Sequence, residues 1–247
     1  MGIWETLVAF EYSFWIVCAV LYFLEHVQLL APRELLYEDR LRKAWKFRLS
    51  GLPFTIFNKD LYVLNPFMPW RSAFKAKWGE NLSPSKKTVK AEQRHLLAFA
   101  KAARELRIIS AMSFVSLFVL CPYVTATRGL IASLVTALLI NSVACILMIP
   151  TLWFRSEIFR LTKGKLLLLV CEALVLPPYM ACLLKRVSLN YEVQCDGLIL
   201  AKVLKGSNNF QAVLESASLK VREESGQYRQ GESSNQIQDY LFKLRAC

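Results

Sequence analysis

The feature that most constrains this chain is a pair of long uncharged runs that follow one another directly. The first run is Ile108–Thr127 and the second is Gly129–Phe154, with Arg128 between them. Each run is long enough to cross the roughly 30 Å hydrocarbon core of a bilayer as a helix. The sequence therefore predicts two transmembrane helices joined by a tight turn at Arg128.

A third apolar segment lies near the N-terminus, over about residues 7–30. It contains Glu11, Glu25 and His26, but its centre, Tyr12–Leu24, carries no charge. It lacks the basic n-region and the small-residue cleavage site of a signal peptide. We therefore expect a third transmembrane helix here, retained as an anchor.

Basic residues are distributed unevenly along the chain. The formal net charge is +12, and residues 31–106 carry sixteen Lys and Arg, whereas residues 1–11 carry none. The positive-inside rule then places the N-terminus outside and the loop 31–106 in the cytoplasm. We expect the membrane to be a bacterial inner membrane. Nucleic acid is the alternative counter-charge, but beside such spans anionic lipids are the favoured partner, and we expect no nucleic-acid binding.

A fourth apolar segment, residues 166–184, is interrupted. Glu172 lies near its middle, and Pro177 and Pro178 break it. A carboxylate at the bilayer centre costs about 2.5–3.5 kcal/mol, and adjacent prolines remove two backbone donors. A proline-broken helical hairpin over residues 164–190 is therefore favoured over a fourth span.

Polar residues on either side of that segment form a composite pattern. Ser156-Glu157-Ile158-Phe159-Arg160 precedes the segment, and Glu192 and Asp196 follow it as Glu-x-x-x-Asp. The same order occurs in zinc sites in which His-Glu-x-x-His on one helix supplies two metal ligands and a general base. The proline-broken hairpin would return Glu192 to the side of the membrane on which Ser156 lies.

In this pattern, residues 150–220 resemble the gluzincin membrane metallopeptidases of the beta-lactam-sensor and antirepressor, HtpX-like and CAAX-protease kinds. The resemblance implies that Glu157 matches the general base, Glu192 the third zinc ligand and Asp196 the acid that supports the site. It also implies a helical extension after Asp196.

Both zinc-binding histidines of that family pattern are absent from this sequence. Ser156 and Arg160 stand at their positions, and a neutral hydroxyl and a fixed cation do not hold a divalent metal. The two histidines of the chain, His26 and His95, lie far away in the sequence. We therefore expect an inactive frame with no catalytic residue, no metal and no cofactor.

Aromatic and basic residues are interleaved over Leu52–Trp78, where three prolines predict an irregular segment. This composition suits a lipid headgroup interface and equally suits a docking surface for another membrane subunit. The candidate interface residues are Phe67, Met68, Trp70, Arg71, Phe74, Lys75, Lys77 and Trp78.

These observations predict an all-α, polytopic helical membrane protein with three transmembrane helices, the proline-broken hairpin or a fourth span, and a cytoplasmic helical tail. The membrane domain would comprise residues 1–190 and the tail residues 191–247. The expected function is that of a non-catalytic, pseudoprotease-like accessory or scaffold subunit of a larger membrane complex. The alternatives are a membrane zinc metallopeptidase with an atypical site and a small channel or transporter subunit.

Overall fold

A computed structural model describes the chain over residues 3–40, 44–49, 55–57, 59–79, 86–205, 207–227 and 240–242. The chain divides into two units. The first unit consists of residues 1–27, 64–72 and 99–190, and the second of residues 28–63, 73–98 and 191–247. Each unit is built from segments that are distant in the sequence.

The described elements follow one another in a mixed order of helices and strands. The helices are α1 (Ile3–Leu24), α2 (Lys86–Ala102), α3 (Arg104–Val115), α4 (Cys121–Phe154), α5 (Lys163–Val175), α6 (Pro177–Ala181), α7 (Leu183–Leu189), α8 (Gly197–Lys205) and α9 (Ser207–Gln227), with a π-helical turn at Ser116–Leu120. The strands are β1 (Val27–Leu30), β2 (Glu34–Arg40), β3 (Ala44–Arg48), β4 (Thr55–Ile56), β5 (Lys59–Val63) and β6 (Ala73–Lys77).

The two long uncharged runs form one helical segment, Arg104–Phe154, that reverses direction at Gly129. Gly129 has φ 82° and ψ 171°, a conformation that is essentially restricted to glycine because other residues have a Cβ. Beyond this turn, the Ser133 hydroxyl donates a hydrogen bond to the Cys121 carbonyl at 2.8 Å, so the two arms run antiparallel. We call this segment the Gly129 hairpin.

The Gly129 hairpin is the one segment of the described chain that is long and apolar enough to cross a membrane, and only 22% of its apolar window is buried. The predicted all-α, polytopic fold with three transmembrane helices is wrong. Strands make up about 13% of the described residues, in two small antiparallel sheets. The helix predicted over residues 7–30 has other bounds, because α1 ends at Leu24 and the chain turns at Glu25 and His26 into β1.

Gly129 provides a test of the hairpin turn. Gly129→Ala is expected to lower the free energy of unfolding by about 2 kcal/mol, because the left-handed φ strains any residue with a Cβ. For a chain of this size, such a loss corresponds to a melting temperature about 4–8 °C lower, measured by circular dichroism in mild detergent.

The matched control is Gly164→Ala, in the first turn of α5. A Cβ at Gly164 would meet no atom within 4 Å, so this variant should be neutral or more stable by up to about 1 kcal/mol. Equal melting temperatures for the two variants would contradict the assigned turn.

The proline pair breaks the following apolar segment, as its sequence predicts. α5 ends at Val175, Leu176 adopts an extended conformation with φ −123° and ψ 104°, and α6 starts at Pro177. The alternative of a fourth span is wrong because α5 has only 13 residues, against the ~20 that a crossing needs. The Asn141 amide, on α4, donates hydrogen bonds to the Ala173 and Leu174 carbonyls at 3.0 and 3.1 Å, which fixes the C-terminal end of α5 against the hairpin.

Buried side chains from α1, the hairpin and α6 share one apolar core in the first unit. The core members are Trp15, Cys18, Tyr22, Leu117, Cys121, Ala137, Ala181 and Cys182. The rings of Tyr22, Phe114 and Phe118 meet there, with centroids 4.8–5.6 Å apart. This core holds the C-terminal end of α1, where the polar groups described below begin.

The second unit contains the sheets that the sequence did not predict. One sheet has the order β3-β2-β6 and the other β1-β5-β4. In the first sheet, Tyr37 pairs with Phe47 on one side and with Phe74 on the other, so aromatic residues face each other across three strands. The prediction of an irregular segment over Leu52–Trp78 is therefore wrong where β4, β5 and β6 form, whereas residues 64–72 are irregular as predicted. Residues 52–54 and 58 of that prediction lie outside the described residues.

Helices α8 and α9 pack with the strands of the second unit through polar as well as apolar contacts. The Tyr37 hydroxyl donates a hydrogen bond to the Gly197 carbonyl, and a Cβ at Gly197 would lie 3.2 Å from that hydroxyl. On α9, the Lys220 ammonium donates to the Asp60 carboxylate at 2.6 Å and to the Leu49 carbonyl at 2.7 Å. Residues of the predicted tail 191–247 thus belong to the same unit as the strands.

Candidate functional site

Ser156 and Arg160, which stand at the two histidine positions of the metallopeptidase motif His-Glu-x-x-His, lie in a turn. Residues 155–160, directly after α4, are not helical, and Arg160 has a left-handed φ of 51°. The Ser156 hydroxyl donates to the Trp153 carbonyl at 3.0 Å, while Glu157 is exposed. A His-Glu-x-x-His site needs its two ligands one helical turn apart on a single face, and this turn does not provide that face.

The two downstream motif positions belong to the second unit and differ from each other. Glu192 is exposed in the extended stretch before α8, whereas Asp196 is buried. One Asp196 carboxylate oxygen accepts from the Leu198 and Ile199 amides at 2.8 and 3.2 Å, and the other from the Gly79 amide at 2.9 Å. Asp196 is therefore the N-cap of α8. Within the described residues, no group of three His, Cys, Asp or Glu side chains could hold a metal ion.

The structure also divides the predicted interface residues. In the first unit, Phe67 is 67% exposed, and the other members there, Met68, Trp70 and Arg71, are half-buried. In the second unit, Phe74 and Trp78 are fully buried, while Lys75 is half-buried and Lys77 exposed. Phe74 and Trp78 are therefore core residues, and among the predicted interface aromatics Phe67 is the one that solvent reaches most.

A charged cluster in the first unit is the strongest polar feature that sequence reasoning missed. On α7, the Arg186 guanidinium lies 2.6 Å from the Glu172 carboxylate and 3.4 Å from the Glu25 carboxylate. It also lies 4.3 Å above the ring of Tyr179. The charged side chains are only 20–30% exposed, so these groups interact across a poorly solvated environment. We call these four residues the Arg186 cluster.

Two carboxylates share one guanidinium in the Arg186 cluster, which leaves a local charge of −1. Burial raises the pKa of Glu25 above its usual value; the Arg186 charge opposes this effect and the Glu172 charge adds to it. Glu25 follows α1 and Glu172 lies on α5, so Arg186 joins three parts of the unit. Such a shared guanidinium acts as a clamp, because removing it would leave two half-buried negative charges close together.

A second polar group, the His26 pocket, continues from Glu25. It consists of Tyr22, His26, Cys182 and Lys185, and His26 is fully buried. The His26 Nδ1 donates to the Tyr22 carbonyl at 2.8 Å, and the Lys185 ammonium donates to the Asn65 carbonyl at 2.6 Å. The His26 Nε2 is buried and has no hydrogen-bond partner among the described residues.

Both titratable groups of a possible Cys-His pair are held neutral in this pocket. The Cys182 sulfur lies 3.9 Å from the His26 Nδ1. Burial, reinforced by the Lys185 charge, lowers the pKa of His26 to about 4, and burial raises the pKa of Cys182 to about 12. A nucleophilic cysteine needs the opposite shift, towards the thiolate. The pair therefore has the electrostatics of a packed core.

No sequence motif marks these two groups, because their members come from the C-terminal end of α1, from the turn that follows it and from α5 to α7. The one usable hint was the charge itself, since Glu25, Glu172, Lys185 and Arg186 all interrupt apolar runs. Charged residues in such runs usually pair with one another. In comparisons with known proteins, no family model, curated protein or solved structure matches this chain.

Proposed function

We propose that this protein is a non-catalytic integral membrane protein that serves as an accessory or scaffold subunit of a larger membrane complex. The observation that carries the proposal is the Gly129 hairpin, whose apolar window is only 22% buried. Exposed side chains such as Ile131, Leu138 and Ile146 are 65–80% accessible. An apolar surface of this extent is typical of contact with lipid or with another membrane protein.

The polar groups of the first unit support a structural role over a catalytic one. Arg186 pairs with two carboxylates, and Arg155 donates to both Glu105 carboxylate oxygens through its Nη1 and Nη2 atoms. Groups that are matched in this way stabilise a packing arrangement, whereas a reactive group needs a perturbed charge state directed into an open site. The pseudoprotease interpretation of Ser156 and Arg160 stays a prediction from the sequence, and the proposal does not depend on it.

The orientation follows from charge. Seven basic and two acidic residues occur in the sequence at the base of the Gly129 hairpin, over residues 101–107 and 155–165, and basic residues favour the cytoplasmic side. Three further points remain predictions from the sequence. The N-terminus lies outside, loop 31–106 lies in the cytoplasm, and the membrane is a bacterial inner membrane.

Extraction and co-purification test this proposal. The full chain should stay in membranes washed with alkaline carbonate, and in mild detergent it should retain a defined set of membrane-protein partners. Phe67→Ser should reduce the yield of those partners about tenfold, the effect of losing an aromatic anchor worth roughly 1.4 kcal/mol. Phe242→Ser, which changes an exposed phenylalanine of the second unit, is the control and should keep the yield unchanged.

Metal analysis separates the scaffold from the atypical metallopeptidase. Stoichiometric zinc in the purified protein that is lost in Glu192→Ala, but kept in Glu215→Ala, would contradict the non-catalytic proposal. Glu215 is the matched control because it is also an exposed glutamate of the second unit. Release of the wild-type chain by carbonate would contradict membrane insertion.

A further inference from the structure

A narrow apolar groove runs between the two arms of the Gly129 hairpin. Its volume is about 200 Å³. Ile109 and Ala144 are buried at its floor, at 3% and 7% exposure, while Met112, Val143 and Leu147 form its rims and are more than half exposed. The groove is therefore open along its length and closed at its floor.

The lining of this groove suits a flexible chain better than a second helix. Helices that pack in membranes approach through small residues, which let the backbones come close. Among the described residues that line the groove, Ala144 is the single small one, and the others are long or branched aliphatic side chains. These walls keep a helix backbone at a distance but leave room for a hydrocarbon chain.

Positive charge lies at one end of the groove. Glu105 precedes Ile109 by about one helical turn on α3, and Arg155 directly follows the C-terminal end of α4, beyond Leu147. Their ion pair therefore marks that end. In the sequence, the two segments that form the hairpin base, residues 101–107 and 155–165, carry seven basic and two acidic side chains. Lys101 and Arg104 are both exposed there. An occupant with an apolar chain and a negative head is complementary to this arrangement.

We propose that the groove binds one acyl chain of an anionic phospholipid, whose phosphate is held by Lys101 and Arg104 at the hairpin base. This inference rests on the proposed membrane insertion of the hairpin, since only an inserted hairpin presents the groove to lipid. The aliphatic walls select the chain and the basic residues select the head, so affinity and headgroup preference depend on different residues.

The first test fills the groove. Native mass spectrometry of the full chain in mild detergent, titrated with phosphatidylglycerol, should show about tenfold weaker binding for Ala144→Phe, equivalent to roughly 1.4 kcal/mol. Ile146→Phe, which enlarges an exposed residue that does not line the groove, should bind within about twofold of wild type, or about 0.4 kcal/mol. Val143→Trp, on the exposed rim, replaces Ala144→Phe if that variant does not fold.

The second test removes the charge. The double variant Lys101→Gln/Arg104→Gln should lose the preference of the wild type for phosphatidylglycerol over phosphatidylcholine. Lys90→Gln/Arg94→Gln, a pair of exposed basic residues on α2, should keep that preference.

Two results would overturn the lipid site: unchanged phosphatidylglycerol binding by the groove-filling variants, or equal binding of the two lipids by the wild type. In either case carbonate-resistant membrane insertion would still stand. If alkaline carbonate releases the wild-type protein from membranes, the proposed function itself is contradicted.

Discussion

Replacing Arg186 by glutamine is expected to lower the free energy of unfolding by about 2–3 kcal/mol, near the lower limit for breaking a buried ion pair because these side chains keep some solvent contact. The physical cause is the repulsion and poor solvation of Glu25 and Glu172 once their shared cation is gone. The melting temperature in mild detergent should fall by roughly 5–10 °C.

A double-mutant cycle separates this pairing from general damage. Glu172→Gln alone should cost only about 1 kcal/mol, since Arg186 keeps Glu25, and the double variant should cost less than the sum by about 1–2 kcal/mol. Arg94→Gln, which changes an exposed arginine of α2, is the control. A melting temperature for Arg186→Gln equal to that of the control would show that the Arg186 cluster is not a clamp.

Acidification is expected to destabilise the protein through His26 by up to about 3 kcal/mol between pH 6.5 and about 4. Above pH 6.5 the imidazole is neutral in the folded and unfolded states, so this contribution is fully present. Between pH 6.5 and 4 the unfolded chain binds a proton at His26 that the folded chain does not bind, because the pKa of His26 is lowered to about 4 in the folded state. Stability therefore falls as the pH falls through this window.

Glu25 acts in the opposite direction. Its pKa is raised above the ordinary 4.5, so its contribution is present below pH 4.5 and is lost as the pH rises through the raised value. The free energy of unfolding in guanidinium, measured at a series of pH values, separates the contributions of His26 and Glu25. The proteins to compare are the wild type, His26→Gln, Glu25→Gln and the double variant.

The sequence provides its own control for the acid effect. His95 is exposed on α2, so His95→Gln should keep the acid slope that His26→Gln removes. An unchanged slope in His26→Gln would show that His26 does not cause the loss.

Long periodic or uncharged segments were the part of the fold that the sequence predicted well. The helices over Ile108–Thr127 and Gly129–Phe154 and the turn between them are present, as is the break at Pro177 and Pro178. In each case one physical requirement dominates, either a continuous apolar surface or a proline that cannot continue a helix.

The strands were missed because they are short and lie in a basic stretch. Ala44–Arg48 does alternate, because Trp45 and Phe47 are buried whereas Lys46 and Arg48 are half-buried. This is the period of a strand. Five residues of alternation were outweighed by the composition of the surrounding loop.

The polar sites could not be predicted, since they depend on which distant segments meet. Glu192 and Asp196 belonged to one Glu-x-x-x-Asp pattern in the sequence, as a metal ligand and its supporting acid, yet one is exposed and the other caps a helix. Neighbouring residues of a motif can thus have unrelated environments, and burial is what separates them.

The interleaving of the two units has a consequence for how the chain can be made and cut. Each unit takes three separate pieces of sequence, with the chain passing from one to the other after Val27, Val63, Ser72, Ala98 and Asn190. No truncation of the gene at a single position yields a protein that contains either unit complete and alone. During synthesis, β2 and β3 leave the ribosome well before α8, which packs on them, so the second unit completes its fold only when the last part of the chain emerges.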